Sequence, residues 1–177
     1  MTISLAIDTS TARTIVGLVD DGKVLFESFT EGATDHGRAV SELVAQALDG
    51  NPQPEQVVVG MGPGPFTGLR VGIAFARTFA LARQIPVIGI CSLDAIEIDQ
   101  DSYTVAIDAR RKEIYWAKYA GGVRIAGPAV NKPDEVTDFI IDRYPSVLKL
   151  NELSQSQNES EPFYLRRPDA VPTAERR

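Results

Sequence analysis

The chain has 177 residues, of which 44% are apolar and 24% are charged, and its net charge is −6. That composition excludes a wholly disordered, collagen-like or disulfide-scaffold protein, and no apolar run reaches the roughly 18 residues that a membrane span needs. Residues 1–15 lack the basic start and cleavage site of a signal peptide, and the lone Cys91 has no internal disulfide partner, so we expect a cytoplasmic protein without membrane contact.

The first hundred residues predict strands that alternate with helices. We expect strands at 3–8, 14–19, 23–30, 57–60 and 86–90, and helices at 36–48 and 68–83. The second and third strands flank Asp20-Asp21-Gly22, which is a strong hairpin signal. The β-branched run at 57–59 is typical of a strand buried on both faces, so the pattern favours a mixed or parallel sheet covered by helices.

A shorter pattern of the same kind follows. We expect strands at 103–108, 113–119, 123–125 and 147–150, and a helix at 134–143. Residues 154–161 contain no apolar side chain and therefore predict a flexible loop. The chain thus predicts two lobes that begin alike, residues 1–100 and 101–177, of which only the first is complete.

Charge is unevenly distributed along the chain. Residues 56–93 contain three arginines and no acidic residue, and Arg110-Arg111-Lys112 forms a second basic stretch after Asp108. The net acidity argues against a protein that binds nucleic acid on its own, because nucleic-acid-binding domains usually carry a basic face. We interpret the second stretch as a solvated hairpin turn, or as an RNA contact within a larger assembly.

The counts of histidine and cysteine restrict the chemistry. The chain has one of each, His36 and Cys91, so only these two could form a nucleophile pair, and a metal site would need carboxylates. A single cysteine at the end of an apolar strand is usually a core residue, and we interpret His36 as a solvated residue at the start of a helix. Any catalysis by this chain would therefore have to use carboxylates, backbone amides and arginines.

Two segments carry further information about function. Asp8-Thr9-Ser10-Thr11 follows the first strand, where a phosphate-binding hairpin would place small hydroxyls and a metal-binding carboxylate, although Asx and Ser/Thr turns have the same composition. Residues 60–70 (GMGPGPFTGLR), the glycine-proline loop, lack the lysine of a Walker A loop, and two prolines remove amide donors. We expect this loop to fix a shape rather than to grip phosphate.

The long helix predicts an interaction surface. Its apolar side chains point in nearly every direction around the helical wheel, and only Arg70, Arg77 and Arg83 interrupt them. A helix that is hydrophobic all round is buried on all sides, whereas one flank of a sheet covers only half of it. We infer that a partner subunit covers the remaining face; the alternative is that neighbouring helices of this chain enclose it.

The motifs together resemble those of the TsaB (YeaZ) family. The matching positions are Asp8, Thr9, Ser10, Gly62, Pro63, Gly64, Phe66, Thr67, Gly68, Arg70, Asp108, Arg110 and Tyr115, followed by Tyr164-Leu165-Arg166 near the end. The resemblance implies an α/β protein with the actin-like ATPase fold of the Hsp70, sugar-kinase and actin superfamily, in which two lobes of mixed sheet are covered by helices. Between Val130 and Pro162 the chain is several dozen residues shorter than is usual for the family, so we expect a truncated second lobe.

The resemblance also implies a function in tRNA modification. The family belongs to the bacterial machinery that installs threonylcarbamoyl on N6 of adenosine 37 (t6A37), where it is a non-catalytic subunit that binds and activates the TsaD-type threonylcarbamoyltransferase. It further implies a TsaE-type ATPase as a partner, tRNA contact through the complex, and homodimer formation as an alternative state. ATP and a metal are expected on the partner subunits, with no cofactor on this chain alone. We expect the partner interface to include Val40, Leu43, Phe75, Phe79, Arg70 and Arg77.

Two other functions remain as alternatives. An ATP-dependent phosphotransferase of the actin-like superfamily would place Asp8 at the metal, but it needs a second phosphate loop where this chain has Asp108-Ala109-Arg110-Arg111. A metallopeptidase would need more histidine than the single one present. ATP binding by the isolated chain would favour the first, whereas co-purification of a TsaD-type protein would favour the subunit.

Overall fold

A computed structural model describes residues 2–32 and 35–166, which form two β-sheets and three α-helices. The strands are β1 (Ile3–Asp8), β2 (Arg13–Asp20), β3 (Lys23–Glu31), β4 (Gln56–Gly60), β5 (Val87–Ile90), β6 (Ser102–Asp108), β7 (Ile114–Ala120), β8 (Val123–Asn131) and β9 (Phe139–Ile140). The helices are α1 (His36–Leu48), α2 (Phe66–Arg83) and α3 (Val147–Leu153), with short 3-10 helices at Ser92–Ala95 and Pro133–Glu135.

The two sheets repeat one strand order. In the first sheet the order is β3-β2-β1-β4-β5, with β1 antiparallel to β2, β2 antiparallel to β3, and β1, β4 and β5 parallel. In the second sheet the order is β8-β7-β6-β9, with β9 parallel to β6 and the other pairs antiparallel. The second sheet thus reproduces four strands of the first and, within the described residues, has no counterpart of β5. The two sheets therefore share their first four strands, whereas the helix predicted after the third strand of the second lobe is not formed.

The first sheet is covered on both faces. Val57 and Val59 of β4 belong to the cluster that joins this sheet to α1 and α2, whereas Val58 packs with α3 and the first 3-10 helix on the other face. Because successive side chains of a strand point to opposite faces, burial on both sides accounts for the unbroken valine run. A smaller cluster joins Leu93 of the 3-10 helix to Val105 in the second sheet.

The predicted helix at 134–143 is wrong. Only the second 3-10 helix forms there, and it is followed by β9, whose Ile140 pairs with Val105. The backbone is left-handed at Asp138 (φ 53°) and Asp142 (φ 61°), on either side of β9, and such residues interrupt a right-handed helix. The second sheet therefore lacks, among the described residues, the helix that would correspond to α1.

The predicted strand at 147–150 is also wrong, because this segment forms α3. Ser146 Oγ accepts a hydrogen bond from Lys149 N (3.2 Å) and caps the helix. Val147 and Leu150, three residues apart, both point into the core of the first sheet. The chain therefore returns to the first sheet after β9, so α3 packs with the first sheet and not with the second.

The segment after α3 packs along β5 and is not the flexible loop that its polarity predicts. Asn158 Oδ1 accepts a hydrogen bond from Gly89 N (3.0 Å), and Glu159 N donates to Gly89 O (2.7 Å). Further on, Phe163 N donates to Met61 O (2.9 Å). Polar residues suit this position because an edge strand offers unpaired backbone groups as hydrogen-bond partners.

Candidate functional site

The carboxylate of Asp8 lies at the end of β1 and is completely buried. Its Oδ1 accepts hydrogen bonds from Ser10 N (2.8 Å) and Ser10 Oγ (2.6 Å), and its Oδ2 accepts one from Ser92 Oγ (2.6 Å). Burial raises the pKa of Asp8, and the hydrogen bonds from Ser10 and Ser92 oppose that shift. Because Gly62 N donates to Ser92 Oγ (3.1 Å), the network connects β1, the glycine-proline loop and the first 3-10 helix.

The glycine-proline loop closes over this carboxylate. A Cβ atom at Gly60 would lie 1.8 Å from Asp8 Oδ2, and one at Gly64 would lie 2.5 Å from the carbonyl oxygen of Ser10. Glycine is required at both positions because the backbone of the loop approaches the end of β1 so closely. Such packing is what the prediction of a shape-fixing loop requires.

The same geometry disfavours nucleotide chemistry at Asp8. Both carboxylate oxygens already accept hydrogen bonds from the protein, and a metal-binding carboxylate must direct lone pairs at the ion, so Asp8 would first have to leave Ser10 and Ser92. Asp108 ends β6 in the second sheet as Asp8 ends β1 in the first. Its side chain is exposed, and its Oδ1 accepts a hydrogen bond from Arg110 N (2.9 Å). These contacts do not support the phosphotransferase alternative.

The hydroxyl of Thr9 connects β1 to α2. Thr9 Oγ1 donates to the carbonyl oxygen of Gly68 (2.8 Å) and accepts from Gly72 N (3.1 Å). Thr9 Oγ1 therefore lies between the carbonyl of Gly68 and the amide of Gly72. These two groups are four residues apart, and in a regular α-helix they would be hydrogen-bonded to each other. A Cβ atom at Gly72 would lie 2.3 Å from Thr9 Oγ1, so the helix can approach β1 only because this position is glycine.

His36 is buried at the start of α1, which corrects its interpretation as a solvated residue. Its Nδ1 lies 2.7 Å from Thr14 Oγ1, and a Cβ atom at Gly68 would lie 2.9 Å from its Nε2. Burial lowers the pKa of His36, and the negative charge of Asp8 opposes that shift. The imidazole therefore packs as a neutral core residue between β2 and α2.

We expect the free energy of unfolding to fall as the pH is lowered through 6.5, the ordinary pKa of histidine. A histidine whose pKa is lower in the folded state binds protons more readily when unfolded, so its stabilising contribution is complete above that pKa and is lost as the pH falls below it. The measurement is urea unfolding between about pH 8 and about pH 5 of the wild type and of His36→Asn, whose amide can still bond Thr14.

Because His36 is the only histidine, the difference in stability between the two proteins isolates its titration. Asp8, whose raised pKa gives the opposite pH dependence, is present in both. A difference that stays constant across the pH range would contradict the assignment of a neutral buried imidazole.

The turn between β6 and β7 has an unusual backbone. Three consecutive residues are left-handed, namely Arg110 (φ 62°), Arg111 (φ 56°) and Lys112 (φ 62°). Non-glycine residues rarely adopt this conformation, and here neighbouring side chains hold it. Asp108 accepts from Arg110 N, while Arg166 donates to Arg110 O (3.2 Å) and forms an ion pair with Glu113. The predicted hairpin turn is confirmed, and the family-motif residue Tyr115 that follows it is buried.

Cys91 is a core residue, as predicted. Its side chain is fully buried, Arg124 donates a hydrogen bond to its Sγ (3.1 Å), and burial raises the pKa of the thiol to about 12. His36 makes its contacts elsewhere, with Thr14 and Gly68, so the structure does not bring the two residues together as a nucleophile pair. Across residues 2–32 and 35–166 no three His, Cys, Asp or Glu side chains are placed to hold a metal ion.

One side of α2 is left uncovered by the rest of the described residues, 2–32 and 35–166. We call it the α2 outer surface and define it as Val71, Ala74, Phe75, Thr78, Phe79, Leu81 and Ala82. Leu81 is 79% exposed, and the half-buried rings of Phe75 and Phe79 stack with their centroids 6.0 Å apart. The alternative that neighbouring helices enclose α2 is therefore wrong.

The structure corrects part of the predicted partner interface. Val40 and Leu43 of α1 are only 1% and 4% exposed and belong to the core beneath the helices, so no partner can reach them. Phe75 and Phe79 do lie on the α2 outer surface. Of the two arginines expected at its rim, Arg70 lies over the ring of Phe66 (5.0 Å), and Arg77 donates to Ser160 O (3.1 Å).

Helix α2 is less enclosed than its apolar composition predicts, because most residues on its buried side are small. Leu69 and Ile73 fill the core, and the other buried positions are glycine or alanine: Gly68, Gly72, Ala76 and Ala80. Helix and sheet therefore come close together, and the larger apolar side chains remain on the flank and the outer side. Within the described part of the chain, no helix combines the length and apolarity that crossing a bilayer requires.

The arrangement of the two sheets and the helices identifies the class of fold to which the chain belongs. Two mixed sheets with a repeated strand order, covered by helices and joined at the buried end of β1, form the actin-like ATPase-type fold. The structure resembles that of YeaZ from Pseudomonas aeruginosa, with a TM-score of 0.75 and 25% identity over 88% of this chain and 91% of that one.

Sequence comparison identifies the family. Residues 30–171 match the family described as "TsaD: tRNA N6-adenosine threonylcarbamoyltransferase". The chain is 34% identical to the tRNA threonylcarbamoyladenosine biosynthesis protein TsaB of Escherichia coli, over 65% of this chain and 54% of that protein. The chain belongs to the TsaB (YeaZ) family.

Relatives differ in how much of their length this chain covers. An uncharacterized protein of Mycobacterium tuberculosis is 39% identical over 96% of this chain and 94% of its own length. An uncharacterized protein of Mycobacterium leprae is 48% identical over 77% of this chain, but only 40% of that protein is covered. The M. tuberculosis alignment runs over 199 positions against 177 residues here, so more than twenty of its positions have no counterpart in this chain.

Proposed function

We propose that this chain is a non-catalytic subunit that binds and activates a TsaD-type threonylcarbamoyltransferase in the t6A37 modification of tRNA. The named relatives are tRNA threonylcarbamoyladenosine biosynthesis proteins, which supports the pathway. The observation that carries the subunit role is the α2 outer surface, an apolar helix face that no other part of the described structure covers. Such a face in a protein of ordinary composition indicates a site of protein–protein contact.

The contacts of the polar residues support a role without catalysis. Both oxygens of Asp8 accept structural hydrogen bonds, His36 packs against Thr14, and Cys91 is buried with a raised pKa. A general acid, base or nucleophile must reach a substrate, and none of these three side chains is exposed enough to do so. ATP and a metal then belong to the partner subunits.

Activation follows from differential binding. A subunit that packs against the active conformation of an enzyme more tightly than against the inactive one shifts the enzyme toward the active state. In this proposal the TsaD-type subunit occupies the α2 outer surface, a TsaE-type ATPase joins the pair, and tRNA reaches the complex in the cytoplasm. A homodimer through the same surface is the alternative state of the free chain.

Gel filtration together with an activity assay tests the proposal. The full chain is mixed with the TsaD-type subunit of the same organism, and threonylcarbamoyl transfer to tRNA is measured with and without the chain. We expect co-elution of the two proteins and a faster transfer in the presence of the chain. Separate elution combined with an unchanged rate would overturn the subunit role, and saturable ATP binding by the isolated chain would revive the phosphotransferase.

A further inference from the structure

A strip of basic and aromatic side chains extends from the start of α2 to the turn between β6 and β7. We call it the basic–aromatic strip; its members are Phe66, Arg70, Arg110, Arg111, Lys112, Tyr164 and Arg166. Contacts connect the members within each half of the strip, and the two halves meet in the chain segment from Tyr164 to Arg166. The Arg70 guanidinium lies 5.0 Å from the ring of Phe66, the rings of Phe66 and Tyr164 are 5.1 Å apart, and Arg166 donates to Arg110 O (3.2 Å).

The strip combines positive charge with exposed aromatic rings. Five of its seven members are cations in a chain whose net charge is −6; among them, Arg110 lies beside Asp108 and Arg166 forms an ion pair with Glu113. Phe66 and Tyr164 are 39% and 44% exposed, so each offers ring surface to a ligand. A local excess of positive charge on an acidic protein creates an attractive potential for anions.

The backbone presents the cations in a fixed arrangement. Arg110, Arg111 and Lys112 are left-handed in succession. Asp108 accepts a hydrogen bond from Arg110 N and Arg166 donates one to Arg110 O, and these two bonds hold the turn in that shape. Residues held in such a sparsely populated conformation often mark a functional site. A pre-ordered turn also loses less conformational entropy when a ligand binds.

We propose that the basic–aromatic strip binds a single-stranded segment of RNA. Lysine and arginine contact the phosphates, and exposed aromatic rings stack with unpaired bases, which is the combination that single-stranded nucleic acids require. An acidic protein segment would use the cations but would have no need of two adjoining exposed rings. The choice of RNA over DNA rests on the proposed function, whereas the combination of cations and rings is independent of it.

The strip adjoins the α2 outer surface at Arg70, but the far end of that surface lies well away from the strip. Phe66 begins the helix and Leu81 lies fifteen residues further on, which corresponds to about 22 Å along the axis. A partner centred on Leu81 and an RNA segment on the strip can therefore bind the same molecule. This separation also allows the two proposals to be tested independently.

Fluorescence anisotropy with a labelled RNA hairpin that has a single-stranded loop tests the strip. The full chain is compared with the double variant Arg111→Gly/Lys112→Gly, because glycine tolerates positive φ and should leave the turn intact. The control is Lys23→Ala/Lys118→Ala, which gives the same net charge by removing two exposed lysines elsewhere. Circular dichroism confirms that all three proteins are folded.

We expect the wild type to bind with an affinity that falls steeply with salt, and the glycine variant to bind at least about tenfold more weakly. If both cations contact phosphates, the slope of log affinity against log salt becomes shallower by about 1.4 in the glycine variant, at about 0.7 per contact in single strands. The lysine control should behave like the wild type. Absence of RNA binding, or equal losses in both double variants, would overturn the proposal.

A third variant, Tyr164→Leu, tests stacking. Leucine keeps an apolar contact with Phe66 but removes one ring, so RNA binding should weaken about fivefold or more, with an unchanged salt slope. Polyglutamate is the competing probe. If it binds as tightly as the RNA and Tyr164→Leu affects neither, the strip is a docking site for an acidic protein and the RNA proposal is wrong.

The result does not depend on the subunit role, because no TsaD-type protein is present in the anisotropy assay. The glycine variant should still co-elute with the TsaD-type subunit, and substitution of Leu81 should leave RNA binding unchanged. If the wild type does not bind RNA and the glycine variant no longer co-elutes with the TsaD-type subunit, the strip is part of the protein–protein interface instead.

Discussion

Replacing Gly72 by alanine is expected to lower the free energy of unfolding by about 3 kcal/mol or more, since it adds overpacking to the loss of a buried hydrogen bond. The new Cβ atom would lie 2.3 Å from Thr9 Oγ1, which lies between Gly68 O and Gly72 N. The backbone at this position is helical, so alanine meets no conformational obstacle and the effect is purely steric. For a chain of this size the melting temperature should fall by about 6–12 °C.

A double-mutant cycle identifies the cause. Thr9→Ala removes both the hydroxyl and the methyl group that crowd the new side chain, so the double variant should be more stable than the sum of the two single changes predicts, by about 1 kcal/mol or more. Gly37→Ala is the matched control, because a Cβ atom on this α1 glycine would have no neighbour within 4 Å. We expect it to be neutral or stabilising by up to about 1 kcal/mol. Strict additivity of Thr9→Ala and Gly72→Ala would contradict the close approach of α2 to β1.

Replacing Leu81 by aspartate is expected to weaken binding of the TsaD-type subunit by roughly 30-fold to 1,000-fold, which corresponds to about 2–4 kcal/mol. Leu81 is 79% exposed in the free chain, so the variant should keep the melting temperature of the wild type. In a complex that covers the α2 outer surface, however, the carboxylate would be buried without a partner. Isothermal titration calorimetry on the purified proteins measures the change.

Leu148→Asp is the control for this experiment. Leu148 is also a surface leucine on a helix, 38% exposed, but α3 lies on the opposite face of the first sheet. Phe79 is a less suitable position than Leu81, because its half-buried ring stacks on Phe75 and an aspartate there would also disturb the core. Equal affinity of the wild type and Leu81→Asp would exclude the α2 outer surface as the binding site.

Local patterns predicted the first sheet and its helices well. The alternation of strands, the turn at Asp20-Asp21-Gly22 and the valine run of β4 each depend on neighbours in the sequence, and all appear where expected. The second half was harder to predict because its elements depend on distant contacts. β9 exists through pairing with β6, and α3 has its apolar side chains directed at the first sheet, far away in sequence.

At the candidate site, too, features set by sequence neighbours were easier to predict than contacts between distant residues. The glycine-proline loop packs closely against the end of β1, as a shape-fixing loop would, but its partner Ser92 was not recognised, because a serine thirty residues away carries no signal in a single sequence. The burial of His36 depends on Thr14 and Gly68, and that of Val40 depends on how closely α1 approaches the sheet. A helical wheel gives the direction of each side chain, whereas exposure depends on which neighbours the fold supplies.

The contact of Asn158 and Glu159 with β5 has a consequence for self-association. Open sheet margins promote intermolecular strand addition and fibril growth, and here the main chain of the same molecule already occupies the β5 margin at Gly89. The opposite margin, β3, carries Lys23, Glu27 and Glu31, whose charges discourage a second copy from docking. Both edges of the first sheet are thereby protected against fibril growth, while the helix-covered face remains accessible to a specific protein ligand.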